Sequence, residues 1–347
     1  MTIPSYVPGL PAKGAALAGF QQVELPGKER VQPLWTIPPP KRTADPAEYL
    51  RRKSRAIRNG SGLHPGWLDA RTVEEALDLV VEHVWQEVGA TLMGTELRPV
   101  TGPERAPAQQ IAAAGTAQEW DSGLGVRVRL RAAPDATLRD RCRELVGRLG
   151  DLELDLLLDL YELGSIDDAV ARVLLAWREI GALTEWRTVV LLGGSFPWGA
   201  KELKDHDLTV WPRLERQVWQ AVRDRIEPPG ATVTYGDYST VHPRSGEVRP
   251  GGGATFYEKP RYTTAEHFLI SKGAEWGQDE PSHMKTLAAR IVGDSEFRMS
   301  RSAGERWLQA QADPAVAEDP GNPSVWVEKG HIQHITFVAD QVRDADR

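Results

Sequence analysis

One cysteine stands in the 347 residues. Cys142 by itself excludes an internal disulfide framework and a cysteine-based zinc finger. It fits a reducing compartment, so a cytoplasmic protein is expected. Long apolar runs are missing as well, and no segment reaches membrane-spanning length. The stretch from Met1 to Gly19 carries Pro4, Pro8 and Pro11 and lacks the apolar centre of a signal peptide. Excess positive charge is absent too: 42 basic residues face 49 acidic ones, for a net charge of −7. That balance argues against a globally basic nucleic-acid binder. Direct nucleic-acid binding through the Arg51–Arg58 stretch is therefore the least favoured reading. What is present is a 41% hydrophobic chain, long enough to bury a large core without disulfides or metal.

Residues 1–30 show no helical or alternating periodicity and read as an irregular lead-in. From residue 31 onward, strand and helix signals alternate. Strands are expected over 31–37, 65–70, 96–100, 125–131, 154–161, 187–192 and 231–238, with further strand signals over 255–262 and 267–271. Between them lie amphipathic helices: Thr72 to Val88, Pro107 to Trp120, Thr137 to Leu149, Ile166 to Leu183 behind a Ser165 cap, and Pro212 to Ile226. Such alternation predicts βαβ crossovers and a parallel sheet. About eight units in this length predict an α/β fold of the closed (β/α)8, TIM-like type over 31–272. An open dinucleotide-binding sheet would need a glycine fingerprint after its first strand, where Pro38-Pro39-Pro40 stands instead. Residues 273–347 are expected to form a helical and loop extension packed on the barrel.

Chemistry in such a barrel belongs at the C-terminal strand ends. Asp69, Asp159 and Asp237 are the candidate catalytic acids. Gly236 before Asp237 suits a bend that aims the carboxylate into the mouth, and an Asx turn is the competing role. The candidate ligand-binding residues are Arg129, Arg131, Tyr235, Tyr238, Lys259, Arg261, Tyr262 and His334. Arg127, Arg129 and Arg131 share one strand face. Either Asp155 and Asp159 neutralise them or the face points outward, and periodicity leaves that open. His331 and His334 are three apart without a third convergent ligand, so no metal site is expected. Gly251-Gly252-Gly253 reads as a mobile loop rather than a P-loop, because no Lys-Ser/Thr pair follows. No cofactor is indicated.

Several stretches, in order along the chain, resemble the Beta protein family, named after a phage Beta protein. They are Tyr6-Val7-Pro8 through Lys13-Gly14, Pro33 to Ile37, Tyr235-Gly236-Asp237-Tyr238 with His242-Pro243, Arg261-Tyr262-Thr263, Trp326, and Gly330 to Thr336. The resemblance implies a single-chain barrel with a C-terminal extension and a setting in phage or mobile-element biology, and it supplies no reaction. The motif positions it carries over are Tyr235, Asp237, Tyr238, Arg261, Tyr262, Trp326 and His334. Two functions are expected to compete. One is an enzyme acting on a phosphorylated or nucleotide-like small molecule at the barrel mouth. The other is a non-catalytic component of a phage-defence or counter-defence system with a protein partner. Convergence of Asp69, Arg129, Asp159, Asp237 and Arg261 in one pocket would favour the enzyme, and dispersal the scaffold.

Overall fold

The computed structural model describes residues 3–26, 28–62, 64–89, 97–226, 233–248, 255–277, 282–316 and 319–345. The glycine loop at 251–253 lies outside them. Strands β1 (Tyr6–Pro11), β2 (Leu34–Thr36), β3 (Gly66–Asp69), β4 (Leu97–Thr101), β5 (Leu124–Arg129), β6 (Leu154–Glu162), β7 (Trp186–Gly194) and β9 (Val233–Asp237) close in that order into a parallel barrel. Strands β8 (Leu208–Pro212), β10 (Arg261–Thr263) and β11 (His267–Ser271) form a separate antiparallel sheet with β11 in the middle. Helix α1 (Gly14–Gln21) follows β1, and α2 (Pro46–Ser61) follows β2. After β3 come α3 (Leu77–Val80) and α4 (Gln86–Gly89), joined by a π turn over Val81–Trp85. Then α5 (Pro107–Trp120), α6 (Leu138–Leu149) and α7 (Ile166–Ile180) follow β4, β5 and β6, and α8 (Leu214–Arg223) precedes β9. The chain closes with α9 (Met284–Val292), α10 (Ala303–Ala312) and α11 (Pro323–Ala345).

Local chemistry explains the helix starts. Asp45 accepts from the Glu48 amide at 2.7 Å, ahead of Pro46 at the first helical position of α2. Ser302 and Glu305 form a capping box at α10. Thr72 caps no helix; its hydroxyl donates to the Ile37 carbonyl, and Arg71–Ala76 is a 3-10 turn.

Two apolar layers hold the barrel. Inside are Val7, Leu34, Trp67, Val100, Leu157, Val190, Leu192 and Tyr238. Outside, between strands and helices, a larger cluster includes Val126, Val128 and Leu130. This settles the β5 alternation: the apolar face meets the helices, and Arg127 points inward, 1% exposed.

The structure corrects three boundaries. The lead-in is not irregular: Tyr6–Pro11 is the first barrel strand, paired with β2 on one side and β9 on the other. Its Pro8 and Pro11 mask the strand pattern. The barrel therefore starts at residue 6 rather than 31. The 255–271 strand signals do not join the barrel; His267–Ser271 pairs antiparallel with β8, a strand that the periodicity does not predict. The segment after 272 is not a simple add-on either. Ile335, Val338 and Val342 of α11 belong to the outer core with Tyr6 and Tyr235. Thus α11 covers β1 and β9 as an outer helix of the barrel, and β10 to α10 form an insertion before it.

Candidate functional site

The three strand-end aspartates do not all converge: Asp69 and Asp159 meet on Arg127, and Asp237 lies apart. Each does the same local job. The side chains of Asp69, Asp159 and Asp237 accept from the amides of Arg71, Tyr161 and Ser239, two residues on, at 2.9, 2.9 and 2.8 Å. These are Asx turns, and they let the chain leave the strand sharply. Tyr161 and Ser239 take left-handed φ values of 63° and 54° there, a strained conformation for residues with a side chain.

Asp69 and Asp159 share the barrel axis with Arg127. Its Nη1 donates to Asp69 at 2.6 Å, and its Nε and Nη2 donate to Asp159 at 3.0 and 2.7 Å. Tyr238 also donates to Asp159, at 2.8 Å. Arg105 binds the other Asp69 oxygen at 2.9 Å. Burial would raise the Asp69 carboxyl, but Arg105 and Arg127 hold it far below the ordinary range. All these groups are buried, and they form an internal network in which both carboxylates are paired with arginine. Arg129 and Arg131 climb out of the barrel above it, both paired with Glu247.

Asp237 faces the other way. It does not project into the mouth beside Arg261 and Tyr262, as its strand-end position suggests. It lies under α11 in the outer layer, accepting from Tyr6 at 2.6 Å and Tyr235 at 2.9 Å. Gly236 makes no hinge for it. A Cβ there would meet Val7 O at 3.0 Å, and Leu192 and Val190 at 3.1 Å, so barrel crowding explains the glycine. Burial pushes His334 below its ordinary range, against the pull of Asp237. Its Nε2 donates to Asp237 at 2.9 Å, and its Nδ1 accepts from Thr263, 2.8 Å away. Burial alone would raise Asp237, yet His334, Arg213 and the Tyr6 hydroxyl hold it at about 2. On a barrel rim, Asp237→Asn would leave stability unchanged; in this buried network it should lower it. An amide cannot accept from all four donors, and it presents its own N–H to one of them. We expect a loss of about 2 kcal/mol in urea unfolding; wild-type stability in this variant would show the network to be dispensable.

Tyr262 is also removed from the mouth. It packs on Leu269, Ala288 and Leu308 and accepts from the Arg298 amide at 2.8 Å.

Arg261 and Lys259 lie in a separate cavity of about 740 Å3 at the C-terminal strand ends. The end of β1 at Pro11, the loop after β7 at Phe196–Trp198 and the loop after β9 at Val241–Ser245 build its floor. Its walls are aromatic: Phe196, Trp198, Phe256, Tyr257, Trp276 and Trp326. Its charged and titratable lining consists of Lys13, Lys259, Arg261, His242 and His331; no carboxylate lines it among the described residues. Lys259 Nζ and the Arg261 guanidinium lie 6.0 and 5.4 Å from the centre of the same Phe196 ring. Arg261 donates to two backbone carbonyls, of Thr240 at 2.9 Å and Lys259 at 3.3 Å, and its Nε has no partner. Burial, with Arg261 and Lys272 nearby, pulls the Lys259 ammonium down to about 7 against the pull of Glu202. Burial lowers Arg261 to about 10. His331 is fully buried, its Nδ1 bonded to Ser239 at 2.8 Å and its Nε2 unpartnered. Burial and the neighbouring Arg261 push it down to about 3, so it is a neutral imidazole.

The first turn of α1 completes the lining. Gly14, Ala15 and Ala16 border the cavity, no side chain caps that helix end, and a Cβ on Gly14 would meet nothing within 4 Å. Free first-turn amides add partial positive charge. Lys13 stands beside them, donating to Ser245 O at 2.6 Å. The arrangement can bind an anion and hold a flat ring, and it offers one neutral imidazole nitrogen. Sequence reasoning does not single out Lys13, His242 or His331 as lining. A lysine followed by Gly-Ala-Ala is the available signal for Lys13: small residues bring a helix end close to a ligand.

Among the described residues, no group of three His, Cys, Asp or Glu side chains is placed to hold a metal, and no helix is long and apolar enough to cross a membrane. A comparison with curated proteins finds no match. A family model described as Beta protein matches residues 6–340, nearly the whole chain. The ordered motifs and the barrel geometry agree with that match, and the chain belongs to the Beta protein family.

Proposed function

We propose that this chain recognises a phosphorylated, nucleotide-like ligand in the mouth cavity. The observation that carries the reading is a pair of cations, the buried Arg261 and the half-buried Lys259, neither of them in an ion pair among the described residues, lining an aromatic-walled cavity. Buried charges are ordinarily paired. An oxyanion would supply the missing charge, and the rings suit a base or other planar group.

The dispersal of Asp237 away from Asp69 and Asp159, and the ion pairs that hold those two on Arg127, weigh against acid–base catalysis by these residues. Chemistry on the ligand would fall to Lys259 and to His331 Nε2. A non-catalytic role in phage defence or counter-defence is favoured by the same dispersal, and by Trp198, Phe256 and Trp276, about half exposed at the cavity rim. The buried, unpaired Cys142 suits a cytoplasmic setting for either role.

Trp198, Trp276 and Trp326 line the cavity, so ligand entry should change tryptophan fluorescence. Titration with adenosine diphosphate and with inorganic pyrophosphate is expected to give saturable changes, tighter for the nucleotide. Equal, non-saturating responses to both and to chloride would overturn the reading.

A further inference from the structure

A second anion position lies above the barrel axis, and the chain fills it with its own carboxylate. Glu247 follows the 3-10 turn Pro243–Gly246 in the loop after β9. Its Oε1 accepts from Arg129, and its Oε2 accepts from Arg131 at 2.7 Å and Tyr161 at 2.9 Å. The donors come from the C-terminal ends of β5 and β6, where barrels of this kind bind ligands. Arg131 also stacks on the Tyr161 ring, 3.8 Å from its centre. Tyr161 is one of the few side-chain-bearing residues with left-handed φ. That strain places its hydroxyl on the carboxylate.

The geometry is that of an occupied oxyanion site. Two guanidiniums and a phenol converge on one group. Beneath it, Asp159 is hydrogen-bonded to Arg127 and stands 3.7 Å from Arg129 as a longer ion pair, while Glu247 is the carboxylate that accepts hydrogen bonds from both Arg129 and Arg131. With Glu247 in place, only a crevice of about 10 Å3 remains at the axis. Solvent still reaches the position. An open groove of about 270 Å3 reaches Arg129 and Arg131 from one side, and another of about 790 Å3 reaches Arg131, Tyr161 and Glu247 from the other.

We propose that Arg129, Arg131 and Tyr161 form a phosphate-binding site that Glu247 occupies as an internal substitute, and that a phosphoryl group displaces it. Three phosphoryl oxygens would take the three donors, one each, where a carboxylate must share two. Releasing Glu247 frees the loop whose His242 and Ser245 border the mouth cavity.

The site is distinct from the mouth cavity, so its test uses the Arg261→Met background, in which the cavity's cation pair is broken. Inorganic phosphate is the probe, followed by calorimetric titration and by thermal melting. Adding Glu247→Ala is expected to tighten phosphate binding at least tenfold over the parent. Without phosphate the variant should melt below the parent, and phosphate should restore it. Adding Arg129→Met should abolish the gain. Glu247→Gln, which keeps the side-chain length, should gain less than the alanine variant; it serves as the measure if the alanine variant does not fold. Affinities within twofold of the parent for the variants that fold, or a gain that survives Arg129→Met, would overturn the proposal.

Discussion

Replacing Arg127 with methionine is expected to cost about 3–5 kcal/mol of stability, the range for breaking a buried ion pair on one side. The guanidinium is 1% exposed and makes four hydrogen bonds, to Asp69, Asp159 and Tyr238. Methionine fills much of the volume and leaves two buried carboxylates short of a cation. Arg105 still serves Asp69, and Tyr238 still serves Asp159, so the fold should survive, weakened. The loss should depend on pH. The depressed Asp69 carboxyl contributes stability above its unfolded pKa, near 4, and that contribution fades as pH falls. The gap between variant and wild type should therefore be full at pH 7 and narrower at pH 2.5. Adding Asp159→Asn should recover part of it. Urea unfolding at both pH values checks this. A loss under 1 kcal/mol at pH 7 would show that the axis network does not hold the barrel.

The cavity cations should behave in the opposite way. Lys259→Met and Arg261→Met are each expected to weaken adenosine diphosphate binding about 100-fold, the scale of one or two charge-assisted hydrogen bonds. Lys259→Met should at the same time stabilise the free protein, because it removes a half-buried charge that forms no ion pair among the described residues. The sign follows from the lowered ammonium. Its folded value of about 7 lies below the usual 10.5, so burial costs stability wherever the unfolded chain keeps the proton. The variant's advantage should be full at pH 7 and below, and fade as pH approaches 10.5. Arg127 is buried and paired and Lys259 is half-buried and lines a cavity, and of the two only the second is held at a cost to the fold. A site that costs stability in the free state is what ligand recognition requires. Fluorescence titration and denaturant unfolding on the same preparations would decide; unchanged affinity in both variants would remove the cavity from function.

The barrel is legible in the sequence because most of its strands are short apolar runs between amphipathic helices, as at Leu154–Glu162 and Trp186–Gly194. The first strand is not. Val7 and Leu10 flank Pro8-Gly9 in a segment that reads as loop, and only its pairing with β2 and β9 makes it a strand. The count of eight still comes out, because the later strand signals over 255–271, which lie outside the barrel, stand in for it. Strand-end aspartates are legible as a type but not as a role. An acid that ends a strand to form an Asx turn and one that faces a ligand look alike in sequence. Asp237 differs from Asp159 by facing outward, and that depends on strand register. Lys259 and Arg261 are legible as candidate cations but not in their place: the pattern sets them at the end of a strand over 255–262, whereas Arg261 begins β10, outside the barrel, and Lys259 precedes it. Their partners Lys13 and His331 come from opposite ends of the chain, and no local pattern joins them. The inward face of Arg127 is undecidable from sequence for a simpler reason: alternation says that two faces differ, and only packing says which one is inside.

If Lys259 waits uncompensated for an anion, ligand binding must move protons. At pH 8 an amine held at about 7 is mostly neutral in the free protein, and an oxyanion beside it would restore its charge. Calorimetric titration with adenosine diphosphate at pH 8, in two buffers of different ionisation enthalpy, measures the protons taken up on binding. Uptake of most of one proton is expected, lost in Lys259→Met. Binding with no proton uptake, or with uptake unchanged in that variant, would contradict the role given to Lys259.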